Sequence, residues 1–253
     1  MSLTAGALIG FLACVPTPQD EKPFQAELRR FQDDYYKVGA KDDDKIAAVR
    51  ALAPYHHERI VRALSPLLTE ASIPVRLMTA RELGRFAGVD PAARELHAAL
   101  RSAANSGKRE SAVRIEILRG LGTLRYAPAG GDVAKLVEDK EVWVAKAAID
   151  AAGRIRTLDA LTPLIKSLRR IESNNGDSET TLNPLDDLFP EMPTAGTLLR
   201  ADPRQTAKRP SEREVLKAPI LGALQSISRQ NYENARDWET WWSKRKPSFK
   251  LPE

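Results

Sequence analysis

The chain has 253 residues, a net charge of +5 made of 39 basic and 34 acidic side chains, and one cysteine, Cys14. A single cysteine excludes an intramolecular disulfide and any cysteine-based zinc cluster. Charged residues at 29% and aromatics at only 6%, with little β-branched alternation, favour helix over a β-sandwich or barrel, and basic residues interleaved with acids argue against a dedicated nucleic-acid binder.

From Leu3 to Val15 the chain carries no charge. As a helix this run would rise about 20 Å, too short for a hydrocarbon core of about 30 Å and closer to a secretory h-region. Residues 1–15 are therefore expected to be a signal and 16–24 a linker, with Pro16 and Pro18 breaking any helix. The protein is expected to be exported, in the periplasm or cell envelope. A cytoplasmic protein whose apolar N-terminus caps the fold is the alternative. The run Phe11-Leu12-Ala13-Cys14 resembles the lipobox of bacterial lipoproteins, in which the cysteine is lipidated. Ala13 fits that pattern, whereas Phe11 and Leu12 depart from it and no Lys or Arg precedes the apolar run. The resemblance implies a lipid anchor at Cys14, the one membrane contact expected.

A short phrase then recurs. Val75-Arg76 runs to Leu83-Gly84, Val113-Arg114 to Leu121-Gly122, and Val144-Ala145 to Ala152-Gly153, with degenerate copies at Asp44-Lys45 to Leu52-Ala53 and Leu216-Lys217 to Leu224-Gln225. Constant spacing means one supersecondary unit used repeatedly. In each copy the apolar positions follow the helical period: Val75, Met78, Leu83 and Phe86; Val113, Ile117, Leu121 and Leu124; Val144, Ala148, Ala152 and Ile155. One stripe of a first helix is thus expected to be buried. Gly84, Gly122 and Gly153 sit at one register, where glycine costs about 1 kcal/mol relative to alanine, so a close approach of a neighbouring helix is expected. Ser72-Ile73-Pro74 and Asp139-Lys140-Glu141 supply start signals. Second helices are expected near 56–69, 91–104, 130–138 and 159–171, with Asp90 capping and Pro91 at the first helical position of one of them.

The phrase resembles the HEAT repeat, in the short bacterial variety also seen in phycobilisome-lyase-like proteins, over 44–172 and 212–228. The resemblance implies an all-α fold, an α-solenoid of about five stacked helix pairs. It also implies that the basic slot, held by Lys45, Arg76, Arg114 and Lys217 with Ala145 as exception, pairs with acids of neighbouring units in a structural ladder.

Residues 25–172 are therefore taken as repeats, 173–213 as a polar, flexible insert and 214–242 as the last repeat and a cap. The tail, 243–253, is expected to be loose. The insert is acidic in its first half (Asp177, Glu179, Asp186, Asp187, Glu191) and mostly basic in its second (Arg200, Arg204, Lys208, Arg209, Arg213). Its Leu182, Leu185, Leu188, Phe189 and Met192 keep a docking role open, on the chain itself or on a partner. Trp238, Trp241 and Trp242 share one helix face and are expected to form the C-terminal cap, with a ligand-stacking cluster as alternative. A similar Trp-x-x-Trp-Trp ending recurs in exported bacterial HEAT proteins, which implies the cap.

No catalytic, cofactor or metal constellation is legible. His56 and His57 are adjacent and point about 100° apart, His97 stands alone, and Asp42-Asp43-Asp44 lacks the alternation of a calcium loop. The expected function is a non-enzymatic scaffold or adaptor that binds a protein partner through a concave face and the insert, with no cofactor. A bilin-lyase-like chaperone and a nucleic-acid-binding array are the alternatives. The second-helix residues Arg94, His97, Arg101, Lys135, Lys166, Arg169 and Arg170, opposed by Glu95, Glu138 and Asp139, are the place to test them.

Overall fold

The computed structural model describes residues 21–173, 179–180, 183–185 and 209–252. Cys14, its apolar run and most of the insert lie outside the described residues. Among the described residues eleven α-helices follow in chain order: α1 Glu21–Tyr35, α2 Asp42–Leu52, α3 Glu58–Leu64, α4 Ile73–Leu83, α5 Asp90–Arg101, α6 Ser111–Thr123, α7 Gly130–Lys135, α8 Val142–Ile155, α9 Leu161–Glu172, α10 Glu212–Ser228 and α11 Ala235–Arg245. No strand occurs among the described residues; Glu179 and Ser211 make one isolated bridge.

Local chemistry sets the boundaries. Ser72 accepts a hydrogen bond from the Val75 N–H at 3.4 Å and Pro74 occupies the first turn of α4. Ser211 and Glu214 cap α10 reciprocally, at 3.3 and 2.6 Å. Asn234 caps α11 through the Asp237 N–H at 3.0 Å. Asp90 makes no cap bond; it is the first residue of α5, one place inside the expected position. The expected second helices are shorter than read, because their ends tighten into 3₁₀ turns at Ser65–Thr69, Ala103–Asn105 and Leu136–Glu138.

The helices pack in a regular order. α2, α4, α6, α8 and α10 each contact the next, α5 lies against α4 and α6, α7 against α8, α9 against α10, and α11 against α9. The expected single stripe is too narrow for α6, where Val113, Ile115, Ile117, Leu118 and Leu121 are all buried. A helix flanked by α4 and α8 and covered by α5 has almost no solvent side, so its apolar residues run all round it.

Glycine sets the closeness of that packing. A Cβ on Gly84 would lie 2.7 Å from the Gly120 Cα, one on Gly122 2.9 Å from the Ala151 Cα, and one on Gly153 3.0 Å from the Ala223 Cα. Each contact is with the backbone of the next helix in the row, which a side chain could not relieve by turning.

Two boundary expectations change. α1 begins at Glu21, inside the stretch read as linker, and packs on α2 through Phe31 and Tyr35, each 2% exposed. The tail is not loose over its described length: Phe249 stacks edge-on to Trp241 at 5.3 Å and Trp242 at 5.8 Å, and Arg156 donates to the Pro252 carbonyl. Within the insert, Thr180 donates to the Pro210 carbonyl at 3.0 Å and Leu185 is 1% exposed, docked in the chain's own core.

Candidate functional site

The row α2, α4, α6, α8, α10 runs parallel. Ser72 at the start of α4 bonds Asp42 at the start of α2 at 2.7 Å, while Arg81 and Arg154, near the ends of α4 and α8, reach Glu116 near the middle and Thr123 at the end of α6 at 3.1 and 3.4 Å. The helices therefore present an edge of N-termini and an edge of C-termini.

The N-terminal edge is charge-matched. Lys45 meets Glu70 at 3.2 Å, Arg76 meets Glu110 at 3.6 Å, Arg114 meets Asp139 at 2.9 Å and Lys217 meets Glu172 at 3.2 Å. Arg76 also donates to the Ala104 carbonyl and to Asn105 at 3.0 Å, and Asn105, fully buried, binds the Leu68 and Ala99 carbonyls at 3.1 and 3.0 Å. Asp139 additionally accepts from the Glu141 N–H at 2.8 Å, so one carboxylate holds Arg114 and orders the start of α8. Guanidinium groups this buried need carboxylate and carbonyl partners to offset desolvation.

The second helices are also balanced. His97, Arg101 and Lys135 converge on Asp132 at 2.9, 3.8 and 2.8 Å, Lys166 pairs with Glu138 at 2.9 Å, Arg169 with Glu239 at 3.0 Å, and Arg170 with Glu212 at 2.5 Å. Hydrogen bonds from Lys135 and then His97 hold the Asp132 carboxyl below the usual carboxylate range. Of the basic residues expected on this face, Arg94 alone forms no ion pair among the described residues; it is exposed, and its charge acts only at longer range on Glu58. The other two histidines serve structure: His57 caps α3 through the Arg59 N–H at 3.0 Å, and His56 stacks on Phe86 at 4.7 Å. Among the described residues no group of three His, Cys, Asp or Glu is placed to hold a metal ion.

The C-terminal edge differs. Arg50, Arg85, Arg119, Arg125, Arg154 and Arg229 are exposed along it. The carboxylates nearby are already engaged: Glu82 with Arg85, Glu116 with Arg81 and Arg119, and Asp150 with Lys146. Between α8 and α10 this edge opens into a groove of about 650 Å³, rimmed by Arg125, Arg154, Arg156 and Arg229 and floored by Ile149, Ile155, Pro219, Gly222 and Ala223. Among the described residues Asp150 is its one acidic lining residue.

The backbone around the groove departs from what stability alone selects. Arg125, Arg156 and Arg229 sit at φ of 50°, 60° and 62°, each just past the end of α6, α8 or α10. A left-handed conformation costs a non-glycine residue about 1–2 kcal/mol. The attraction of a cation to a helix C-terminus returns only about 0.3–1 kcal/mol. Pro219 removes a hydrogen bond inside α10, and Gly222 weakens the same helix by about 1 kcal/mol. Unlike Gly84, Gly122 and Gly153, Gly222 faces open space: a Cβ there would meet nothing within 4 Å.

The sequence-marked tryptophans lie elsewhere. Trp238 is fully buried and donates from Nε1 to the Tyr232 carbonyl at 2.9 Å; Trp241 and Trp242 are half-buried, and Trp242 donates to Thr162 at 3.0 Å. Compared with known proteins, the chain matches no family model and no curated protein at a significant level. The groove went unread in the sequence because Arg125, Arg156 and Arg229 are scattered among loop residues, and only a shared place after each Leu-Gly phrase or its copy signals them.

Proposed function

We propose that the chain is an α-solenoid of HEAT-like repeats acting as a non-enzymatic scaffold or adaptor for a protein partner. Parallel packing of α2, α4, α6, α8 and α10, with backbone contacts at Gly84, Gly122 and Gly153, supports the stacked-pair architecture. The observation that carries the binding role is the set Arg125, Arg154 and Arg229 on the C-terminal edge, which meet no carboxylate among the described residues, set against a second-helix face whose cations, Arg94 apart, are satisfied by the chain's own acids. That contrast supports reading the edge, rather than the second-helix face, as the partner's side. Ion pairing there would steer a partner of opposite charge and fix its register. Trp238, Trp241 and Trp242 act as the terminal cap, and export with Cys14 lipidation remains part of the proposal for the N-terminus.

The test is cross-linking from both membrane and soluble fractions, with wild type compared against Arg125→Glu/Arg229→Glu. A specific protein retained by wild type and lost by the charge-reversed variant is the expected result. A partner kept equally by both removes the edge from the reading. A nucleic-acid-binding array is the second reading, favoured by the same row of guanidiniums. It requires affinity that falls steeply and linearly with log salt. Among the described residues the groove has no aromatic lining residue, which favours a scaffold over a chromophore-handling chaperone.

A further inference from the structure

Four guanidiniums rim one groove, its floor is aliphatic, and the helix beneath it carries an exposed glycine facing open space. Each feature selects a different part of a ligand. Arginine presents a planar fork of donors that fits a carboxylate bidentately, and it does so here from three separate helix ends. Ile155 and Pro219, both part-exposed above the buried Ile149, offer apolar surface that a phosphate backbone does not use. Gly222 lets a ligand approach the backbone of α10 closely. A volume of about 650 Å³ between neighbouring helices accommodates several residues of extended chain, whereas a nucleic-acid duplex would rest on the rim alone.

We propose that this groove is a binding site for an acidic peptide, an extended segment of a partner protein in which carboxylates alternate with aliphatic side chains. Its carboxylates pair with Arg125, Arg154 and Arg229, and its aliphatic side chains lie on the floor beside Gly222. Arg156, which already donates to the Pro252 carbonyl, closes one side of the site. Asp150, engaged by Lys146 at 2.8 Å, repels a carboxylate placed directly over it and so helps set the register. The inference deepens the scaffold reading and rests on the partner being a protein.

The experiment is fluorescence anisotropy on the full chain with a dye-labelled octapeptide of alternating Glu and Leu. Controls are the same peptide with Gln for Glu and a single-stranded oligodeoxynucleotide of equal net charge. Saturable binding of the acidic peptide is expected, at least tenfold tighter than the Gln version and tighter than the oligonucleotide. Gly222→Leu, whose Cβ would meet no protein atom within 4 Å, should weaken it at least tenfold without lowering the melting temperature. Arg125→Gln/Arg229→Gln, away from the core, should weaken it to a similar extent and serves as the decisive variant if Gly222→Leu does not fold. Equal affinity for the Gln peptide, tighter binding of the oligonucleotide, or unaltered affinity in a folded Gly222→Leu overturns the proposal. If a protein partner identified by cross-linking still binds Gly222→Leu, the groove assignment fails and the scaffold reading survives. If only the oligonucleotide binds, both fail.

Discussion

At the N-terminal ends of α4 and α6, Arg76 and Arg114 are 5% and 8% exposed and each meets a carboxylate, whereas past the C-terminal ends of α6 and α10, Arg125 and Arg229 are exposed and meet none among the described residues. The same side chain thus sits in two different settings on one row of helices. A buried guanidinium must be matched within the chain, so Arg76 and Arg114 hold neighbouring elements in place. An exposed, unmatched one is well hydrated and contributes little to folding, which leaves it available to a partner. Arginine content alone therefore does not separate structural from solvent-facing charge here; position along the helix does.

The sharpest way to break that comparison is Arg114→Met. It strands Asp139 in a site where the two side chains are 10% and 14% exposed, and should cost about 3 kcal/mol, at the low end for a buried pair because Asp139 keeps the Glu141 N–H. Urea midpoints measure this, and an unchanged midpoint would mean the N-terminal edge is no more structural than the other. Next in size is a pair of glycine variants. Gly122→Leu drives a side chain into the α8 backbone and should lower stability by about 1–3 kcal/mol, whereas Gly222→Leu should be neutral or stabilising by up to about 1 kcal/mol, since it gains helix propensity at an open position. Equal losses at both glycines would show that the groove is packed shut.

A smaller effect of opposite sign is expected on the C-terminal edge. Arg125→Gly or Arg229→Gly removes left-handed strain and should raise the midpoint by up to about 1 kcal/mol while weakening the acidic peptide. A fall in stability would make these residues structural after all. The smallest effect concerns Asp132, whose carboxyl is held low by Lys135 and His97. A depressed carboxylate stabilises fully above its unfolded-state value and loses that contribution as pH falls through its folded one. Asp132→Asn should therefore be weaker than wild type by about 0.5 kcal/mol at pH 7, with the gap closing as melting curves are taken down toward pH 3.

Much of the helix arrangement was legible, because the repeated phrase puts apolar residues and Gly84, Gly122 and Gly153 at fixed intervals, and packing converts such intervals directly into contacts. Gly120 was not legible as the partner of Gly84, since nothing in one helix's pattern names the residue it will face. Nor was α1, whose Phe31 and Tyr35 lie in a stretch without the phrase. Asn105 and Asp139 show a further limit: each satisfies groups from different elements, a role fixed only once the loops have closed. The groove was the least readable part, for its arginines have no local period and its vacant floor beside Gly222 is a property of space between helices.

The ends of the 173–213 excursion are fastened to one another. Arg170 forks onto both oxygens of Glu212 at 2.7 and 2.5 Å, and Arg213 reaches back to the carbonyls of Ile171 and Ser173 at 2.8 and 3.2 Å. Glu172 then holds Lys217 at 3.2 Å and the Ala235 N–H at 2.9 Å, joining α9, α10 and α11 at a single carboxylate. With both ends clamped this way, the length between them has little thermodynamic weight, for doubling a loop adds only about 0.6 kcal/mol of closure entropy. The junction is a splice port: a segment of different length that keeps the buried Thr180 and Leu185 is expected to be exchangeable there without disturbing the register of α9 and α10.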